Sequence, residues 1–418
     1  MQKIIIKGKK KLSGSINISG SKNATLPILA ATILTDKPLQ LTNVPLVQDV
    51  YTMINLLKFI GLDIEILKKK KILNISNNKK LKTKAPYNLL KTMRAGVLVL
   101  GPLLAKYKKA KVSLPGGCAI GTRPVDLHLF ALEKLGAKIK IKNGYIHATA
   151  KEGLRGSIIK FPSISVGATE NAILAAVSAT GKTIIHNCAI EPEIQDMIFF
   201  LKKIGCDINF IGKRKILITG ISDFKSASHE IIFDRIELGT YLIAGALIGK
   251  KIILNKINPV IIDTEIKVMK KMGVRMQVEK NRITVFESKK INSINIKTEA
   301  YPGFPTDLQA QIMVLMSKAS GISKVKENIF ENRFMHVPEL KRMGAKINTK
   351  NNIATITGPN NLSGAEVMAT DLRASVSLVL AALVADNSTT INRVYHLDRG
   401  YENLEIKLKK CKANISRI

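Results

Sequence analysis

The hydrophobic pattern changes in the same way five times along the chain. Each time, an amphipathic stretch with apolar residues at helical spacing ends in a hydrophobic residue and a glycine, and alternating strand-like residues follow. These glycines recur about every 70 residues, at Gly61, Gly136, Gly205, Gly273 and Gly344. Because glycine readily adopts positive φ, we expect each one to end a helix and release the chain into a strand. A degenerate sixth copy, with Lys412 at the glycine position, closes the chain.

A second, more apolar helix is predicted upstream of each of these steps. Small residues on all of its sides indicate burial against several neighbours. The predicted helices cover residues 24–34, 93–105, 170–179, 237–248, 308–318 and 372–385. Each repeat is therefore expected to contain two helices and about four short strands, for example 138–141 and 144–148.

Six such units with no long linker predict an α/β protein of two globular domains, each built from three repeats. The length of 418 residues agrees with two domains of about 200 residues each. We expect the chain to pass from one domain to the other near residues 228–233.

The overall composition is that of a globular protein, with 46% hydrophobic and 23% charged residues. No apolar run reaches the roughly 18 to 20 residues of a membrane span, and the start has too short an apolar core for a signal peptide. The cysteines, Cys118, Cys188, Cys206 and Cys411, are scattered without CxxC or histidine at ligand spacing. We therefore expect a cytoplasmic protein without structural zinc or disulfides.

The formal net charge of +35 invites a nucleic-acid interpretation. The lysines, however, are spread along the whole chain, and the densest run, Lys68 to Lys71, is typical of a turn between two strands. Tryptophan is absent and aromatic residues make up only 5%, so no base-stacking platform is indicated. We expect non-specific attraction to polyanions, and the abundance of Lys, Ile and Asn suggests codon drift in an AT-rich genome.

The stretch 114–128 is a loop with candidate chemistry. Three glycines and two prolines exclude a helix or strand interior there. The loop carries a thiol, Cys118, between Gly117 and Ala119, and a guanidinium, Arg123, which favours the thiolate. A buried, unreactive cysteine is the alternative interpretation. The lack of bulky neighbours favours a reactive thiol.

Six such units, with this cysteine loop in the second, resemble the enolpyruvyl transferases. The matching stretches run from end to end of the chain: 19–24, 91–95, 114–128, 165–169, 234–237, 304–311, 330–339, 369–374 and 396–402. The resemblance implies two inverted α/β barrel-like lobes. One covers residues 22–232, and the other covers 233–418 together with residues 1–21, which return to complete it.

The resemblance also implies an activity. Members similar to this chain transfer the enolpyruvyl group of phosphoenolpyruvate to the 3-hydroxyl of UDP-N-acetylglucosamine and release phosphate, the first committed step of peptidoglycan synthesis. The implied partners are these two small molecules. No cofactor, metal, specific nucleic acid, membrane span or obligate protein partner is expected.

Site residues follow from the same resemblance. Phosphoenolpyruvate is a dense anion, which calls for Lys and for the fork of Arg; the implied set is Lys22, Asn23, Arg123, Arg373 and Arg399. The implied catalytic residues are Cys118, which delivers a proton to the methylene carbon, Asp307, which takes one from the sugar hydroxyl, and Asp371, Lys22 and Arg399. The implied nucleotide-sugar site comprises Arg94, Arg123, Pro124, Val125, Asp126, Leu127, Ser163, Ile164, Ser165, Val166, Asp307 and Ile329.

Two departures and several alternatives accompany this interpretation. The family commonly has Lys at the position of Ser163, and the charge of this chain is unusually basic for the family. Asp234 and Arg235 are also open to interpretation as a local ion pair, and His128 and His336 as structural residues. Two other functions stay open: the sister reaction on shikimate 3-phosphate, and a non-catalytic protein that binds nucleotide-sugar or polyanions.

Overall fold

The computed structural model describes residues 2–77, 79–116 and 125–418. Contacts divide these residues into two compact units. The first unit contains residues 20–116 and 125–232, and the second contains residues 2–19 and 233–418.

Helices form wherever apolar residues recur at helical spacing. The α-helices of the described residues are α1 (Lys22–Ala31), α2 (Gln48–Ile60), α3 (Tyr87–Leu90), α4 (Leu100–Tyr107), α5 (Asp126–Lys134), α6 (Val166–Ala176), α7 (Pro192–Lys203), α8 (Arg235–Ile248), α9 (Asp263–Lys271), α10 (Gln309–Ser317), α11 (Val337–Arg342), α12 (Leu372–Val384), α13 (Tyr395–Asp398) and α14 (Leu404–Lys410). Short 3₁₀ helices cover Thr32–Leu34, Lys68–Lys70, Arg94–Val99, Pro259–Ile262 and Thr306–Leu308.

Strands are short and alternate buried with exposed residues. They are β1 (Ile4–Lys7), β2 (Leu12–Asn17), β3 (Leu39–Thr42), β4 (Asp63–Leu67), β5 (Ile72–Ser76), β6 (Lys84–Ala85), β7 (Lys109–Ser113), β8 (Lys138–Lys142), β9 (Tyr145–Thr149), β10 (Ile158–Lys160), β11 (Lys182–His186), β12 (Asp207–Gly212), β13 (Lys215–Thr219), β14 (Ala227–Glu230), β15 (Gly249–Asn255), β16 (Met276–Val278), β17 (Arg282–Phe286), β18 (Asn295–Lys297), β19 (Gly321–Lys326), β20 (Lys346–Lys350), β21 (Ile353–Gly358), β22 (Glu366–Met368), β23 (Ser388–Asn392) and β24 (Asn414–Arg417).

The described strands form six sheets of four strands each. The first unit holds β14-β3-β5-β4, β6-β7-β9-β8 and β10-β11-β13-β12, and the second holds β2-β15-β17-β16, β18-β19-β21-β20 and β22-β23-β1-β24. In every sheet the first pair of strands is parallel and the other two pairs are antiparallel. The predicted α/β repeat, present six times, is confirmed.

The N-terminal residues complete two sheets of the second unit. Strand β1 lies between β23 and β24, and β2 pairs with β15. The return of the N-terminal segment that the resemblance implied is therefore observed for these strands.

The glycines that end the amphipathic helices have the expected backbone. Their φ angles are +125° at Gly61, +94° at Gly136, +104° at Gly205, +87° at Gly273 and +96° at Gly344. Lys412, at the sixth position, adopts a φ of +71°. The Lys68–Lys70 turn between β4 and β5 also agrees with the sequence analysis.

The helices rich in small residues form the centre of each unit, as predicted. In the second unit α8, α10 and α12 pack against one another, and in the first α6 packs against α4, α5 and the 94–99 segment. Close approach depends on glycine: a Cβ at Gly239 of α8 would lie 2.4 Å from Leu308, and one at Gly101 of α4 would lie 2.4 Å from Asn171 of α6. Within the described ranges, no helix is long and apolar enough to cross a membrane.

Candidate active site

The predicted site residues lie at the N-terminal ends of central helices. In the first unit Lys22 begins α1, Arg94 begins the 94–99 segment and Asp126 begins α5. In the second unit Asp307 lies one turn before α10, and Asp371 caps α12. Helix N-termini carry unpaired N–H groups and positive partial charge, so both sets of residues lie where anionic ligands are stabilised.

Lys22 is held by a buried carboxylate of the next helix. Ser21 caps α1 by accepting from the Ala24 N–H at 3.3 Å, which fixes the start of the helix. The Lys22 ammonium lies 3.1 Å from Asp49 of α2, and both side chains are about nine-tenths buried. Asn23, the next residue, is half-buried. The pair therefore places a cation of defined position at the start of α1.

Arg94 belongs to a second group in the first unit, around His128 and Asn171. The Asn171 amide accepts from the Gly101 N–H at 2.8 Å and donates to the Val97 carbonyl at 3.2 Å, which fixes its orientation. Its Nδ2 lies 3.1 Å from Nδ1 of His128, so this ring nitrogen accepts and the neutral ring carries its proton on Nε2.

His128 is neutral because it is buried. Burial, aided by the nearby charge of Arg94, lowers its pKa to about 3. A Cβ at Gly167 would lie 3.1 Å from the imidazole, so α6 begins directly against the ring. These contacts join Arg94, the start of α5 and the start of α6 in one region.

The segment before α6 is accessible. Ser163, Ile164 and Val166 are exposed, and Ser165 is the half-buried N-cap of α6, accepting from the Ala168 N–H at 3.3 Å. Ser163 therefore occupies an exposed position ahead of a capped helix. At the start of α5, Val125 is buried, Leu127 is half-buried and Asp126 is exposed.

In the second unit, Asp307 is bound by two arginines. Its Oδ1 accepts from Arg333 at 2.7 Å and its Oδ2 from Arg373 at 2.9 Å. Both arginine side chains are about 95% buried, whereas the Asp307 side chain keeps 27% of its surface exposed. The two guanidinium groups hold the carboxylate in one orientation, with part of it facing solvent.

Arg373 itself lies in a buried polar pocket. Its guanidinium donates to the Tyr401 hydroxyl at 3.3 Å, and that hydroxyl also contacts Thr240 at 2.9 Å and Gln311 at 3.3 Å. Burial alone would lower the pKa of Arg373, but the Asp307 carboxylate raises it above its ordinary value. Burial raises the pKa of Tyr401 in turn. Arg373 is therefore a fixed, permanent cation.

Ile329 is exposed and is positioned by a buried carboxylate, Glu327. One Glu327 oxygen accepts from the N–H groups of Ile329 and Phe330, at 2.8 and 3.1 Å. The other accepts from the Thr306 hydroxyl at 3.0 Å. Glu327 thus connects the Ile329 loop to the residue preceding Asp307.

Asp371 acts as a helix cap. Its Oδ1 accepts from the N–H groups of Arg373 and Ala374, at 2.8 and 3.1 Å. The Asp371 carboxylate also affects two histidines. Burial lowers the pKa of His336 to about 4, and burial together with Arg399 lowers the pKa of His396. In both cases the charge of Asp371 acts in the opposite direction and raises the pKa.

Arg399 is half-buried at the end of α13. The preceding residue, Asp398, forms a two-pronged ion pair with Arg417, at 2.7 and 3.0 Å. Gly400 follows, and a Cβ there would lie 2.6 Å from Leu372 at the start of α12. The turn therefore brings Arg399 next to the N-terminal end of α12, where His396 and Asp371 also lie.

Three predicted residues, Cys118, Arg123 and Pro124, lie outside the described residues. The other cysteines, Cys188, Cys206 and Cys411, are buried, as expected of packing residues. Asp234 is not simply the ion-pair partner of Arg235: its carboxylate caps α8 by accepting from two N–H groups, at 2.8 and 2.9 Å. In the described ranges, no cluster of His, Cys, Asp or Glu has the arrangement of a metal site.

Several residues of these groups were missed by sequence reasoning. Arg333 stands in one of the stretches that carry the resemblance, and Tyr401 follows Arg399 by two residues, so position alone could have suggested both. Asp49 and Glu327 carry no such signal, since a single carboxylate in a helix or loop is usually exposed. Their roles emerge only from long-range contacts.

Comparisons with known proteins identify the family of the chain. Residues 6–408 match the family described as EPSP synthase (3-phosphoshikimate 1-carboxyvinyltransferase). Among curated proteins, the UDP-N-acetylglucosamine 1-carboxyvinyltransferase of Pelagibacter ubique is 59% identical over 100% of both chains. That of Rickettsia bellii is 51% identical, also over 100% of both chains.

Solved structures show the same fold. The enolpyruvyl transferase NikO from Streptomyces tendae superposes with a TM-score of 0.89 at 23% identity, covering 100% of this chain and 98% of its own. EPSP synthase from Acinetobacter baumannii superposes with a TM-score of 0.78 at 18% identity, covering 100% and 99%. Together with the full-length relatives, these matches establish that this chain is a transferase of the EPSP synthase (enolpyruvyl transferase) family.

Proposed function

We propose that this protein transfers the enolpyruvyl group of phosphoenolpyruvate to the 3-hydroxyl of UDP-N-acetylglucosamine, releasing phosphate, as the first committed step of peptidoglycan synthesis. The observation that carries the proposal is identity of 59% over the full length of a curated protein with that transferase name. The oriented, partly exposed carboxylate of Asp307 and the cations at helix starts support it chemically.

The residues that we propose for phosphoenolpyruvate binding are mostly cations, and each unit contains some of them. In the first, Lys22 contributes a point charge at the start of α1, with Asn23 beside it. In the second, Arg399 and Arg373 lie near the N-terminal end of α12. Arg123 is assigned here from the sequence alone. A trianionic substrate is stabilised by such charges because the contacts of Lys22 and Arg373 hold these two cations in place before binding.

Asp307 is proposed as the group that accepts the proton of the sugar hydroxyl. Each of its oxygens accepts a hydrogen bond from a buried arginine, which holds the carboxylate in one orientation while 27% of its side-chain surface stays exposed to a substrate. Cys118 is proposed to deliver a proton to the methylene carbon. The sugar oxygen bonds to C2 of phosphoenolpyruvate as the methylene carbon becomes a methyl group, and loss of phosphate from C2 and of one methyl proton then restores the double bond.

The nucleotide-sugar is proposed to contact Arg94, the start of α5, the exposed residues before α6, Asp307 and Ile329. The exposed Ser163 cannot supply the charge that the family's usual Lys supplies. Lys160, three residues earlier and exposed, is the nearest lysine on the N-terminal side. We further propose that the two units correspond to the lobes 22–232 and 1–21 with 233–418, and that the protein acts in the cytoplasm on small molecules without an obligate partner.

The first experiment measures phosphate release from phosphoenolpyruvate by purified protein. We expect release with UDP-N-acetylglucosamine and none with shikimate 3-phosphate, the acceptor of the sister reaction. Release with shikimate 3-phosphate alone would overturn the proposed acceptor, and no release with either would support the non-catalytic alternative.

A second experiment tests the role of Asp307. Asp307→Asn keeps the size of the side chain but removes the basic oxygen, so we expect kcat to fall by about 10² to 10⁴-fold with a smaller change in substrate affinity. Glu299→Gln, at an exposed carboxylate of the same unit, is the control and should leave kcat unchanged. An active Asp307→Asn enzyme would exclude Asp307 as the base.

A further inference from the structure

The sheet β6-β7-β9-β8 exposes a face that carries only positive charge. Lysines of three strands point to its outer side, and we name this surface the basic sheet face: Lys84, Lys109, Lys111, Lys138, Lys140 and Lys142. No aspartate or glutamate occurs in the four strands. Within the part of the chain that the structure describes, none of the six lysines forms an ion pair with a carboxylate.

The register places two of these charges, Lys84 and Lys111, directly opposite each other and aligns the others in rows across the sheet. Lys84 pairs with Lys111, Lys111 with His147, and His147 with Lys140, so one row crosses all four strands. A second row joins Lys109 and Lys138 through Thr149. Neighbouring strands lie about 4.8 Å apart, and like charges directly opposite destabilise a sheet. The Lys84–Lys111 pair therefore carries a repulsion that an anionic partner would relieve.

Protection of a sheet edge explains only part of this pattern. Lysines on the edge strand β8 discourage pairing with another chain, but β7 is an inner strand and carries Lys109 and Lys111. The sheet β18-β19-β21-β20 also places two lysines, Lys297 and Lys326, directly opposite each other, but Lys297 forms an ion pair with Glu299 there. The equivalent row of the sheet β14-β3-β5-β4 consists of Ser228, Gln40, Asn74 and Glu65, which are joined by hydrogen bonds.

We propose that the basic sheet face binds the anionic surface of a lipid bilayer. A row of lysines across one side of a sheet presents its ammonium groups in a single layer. Such a layer fits the plane of negative headgroups of a bilayer better than it fits the convex surface of a nucleic-acid duplex. The four strands contain no arginine, and lysine neutralises charge without the fork that selects particular phosphates or bases.

The tyrosines at the face support a lipid partner. Tyr145, on the face itself, is covered by the Lys111 ammonium at 5.0 Å from its ring centre, which leaves it poorly placed for base stacking. Tyr87 donates its N–H to the Tyr145 hydroxyl at 3.4 Å and is itself 53% exposed. Exposed aromatic side chains beside lysines are typical of surfaces that rest at a membrane interface.

The proposal does not rest on the proposed function, and a vesicle-binding experiment tests it. The full-length protein is mixed with vesicles of phosphatidylcholine, or of equal parts phosphatidylcholine and phosphatidylglycerol, and bound protein is measured by flotation. We expect binding to the anionic vesicles only, weakening as salt rises. Binding of equal strength to phosphatidylcholine alone would overturn the proposal.

Matched variants separate a defined face from diffuse charge. The face variant carries Lys84→Gln, Lys111→Gln, Lys138→Gln and Lys140→Gln. The control carries Lys→Gln at Lys68, Lys69, Lys70 and Lys79, which are exposed residues of the same unit. Each lysine near an anionic surface contributes roughly fivefold to binding, so we expect the affinity of the face variant for anionic vesicles to fall more than about 50-fold. The fall in affinity of the control variant should be about ten times smaller.

Two further measurements complete the test. Replacement of the same four lysines by arginine preserves charge and should preserve vesicle binding, while unchanged thermal unfolding establishes that the variants fold. Equal losses in the face and control variants would overturn the proposal in favour of diffuse charge. Tighter binding of single-stranded or duplex RNA than of vesicles, through the same lysines, would overturn it in favour of a nucleic acid.

Discussion

At the scale of single residues, burial determines which thiols react. Burial raises the pKa of Cys188 to about 11, of Cys206 to about 12 and of Cys411 to about 11. At neutral pH fewer than about one in 10³ of such thiols is ionised, and the thiolate is the nucleophile. The described cysteines are therefore unreactive as nucleophiles in the folded protein.

We predict that iodoacetamide at pH 7 modifies Cys118 alone in the native enzyme. Peptide mass mapping locates the modified residue, and Cys118→Ser should abolish the labelling. Labelling of all cysteines after unfolding serves as the control. Modification of Cys188, Cys206 or Cys411 in the native state would contradict the assignment of Cys118 as the reactive thiol.

Glu170 is a buried carboxylate whose charge is unfavourable. Burial, with Glu193 and Glu191 nearby, raises its pKa well above the ordinary value. A group with a raised folded pKa favours folding below its unfolded pKa, and this stability is lost as pH rises towards the folded pKa. At pH 7 Glu170 ionises freely in the unfolded chain, whereas burial disfavours its ionisation in the folded chain. The difference stabilises the unfolded state relative to the folded state.

We predict that Glu170→Gln increases the free energy of unfolding at pH 7 by about 1 kcal/mol or more. The gain should shrink as pH falls towards about 4.5, because Glu170 is then protonated in both states. Urea unfolding at several pH values measures it. Glu133→Gln, at an exposed position of α5, should show no such gain, and a gain at Glu170 that is independent of pH would refute the explanation.

At the scale of elements, the sequence predicted the fold in detail because each repeat is marked by local features, namely the spacing of apolar residues and the glycine after each amphipathic helix. Gly136 ends α5 with positive φ, and an amphipathic stretch before a glycine suffices to predict this. The central helices were predicted from their small residues alone, because small side chains allow neighbouring elements to pack closely on every side of a helix.

The sites were less predictable, for a physical reason. Contacts such as Lys22 with Asp49 or Asp307 with Arg373 join residues far apart in the chain. Such pairs depend on how helix ends meet, which periodicity does not describe. The resemblance indicated Asp307 and Arg373 as individual residues, but the contacts that Arg333 and Tyr401 make, and the role of Glu327, required the structure.

The sixth repeat offers a test of the helix-ending rule. Lys412 adopts the positive φ that glycine supplies in the other five repeats. Because a Cβ is strained in that conformation, we predict that Lys412→Gly raises the free energy of unfolding by about 0.5 to 1 kcal/mol. Lys409→Gly, inside α14, should lower it by a similar amount. Destabilisation by Lys412→Gly would show that the lysine side chain makes a compensating contact.

At the scale of the whole molecule, the charge of +35 dominates. Self-repulsion of this size destabilises the folded state. At an ionic strength near 0.01 M the screening length is about 30 Å, whereas near 0.15 M it is about 8 Å. Added salt therefore removes repulsion between distant lysines but leaves much of the repulsion between lysines on adjacent strands.

This difference predicts how quadruple lysine variants respond to salt. At low ionic strength each should melt a few degrees above the wild type, since each removes four positive charges. At physiological ionic strength a third variant, with Lys→Gln at the separated exposed residues Lys58, Lys79, Lys151 and Lys213, should lose most of its advantage. The control variant should keep part of its advantage, because Lys68, Lys69 and Lys70 are consecutive. The face variant should keep part of its own, because Lys84 and Lys111 lie directly opposite each other, closer than the screening length. Thermal unfolding followed by circular dichroism measures all three, and identical salt responses of the face variant and the third variant would show that the lysines of the basic sheet face repel no more strongly than separated lysines elsewhere.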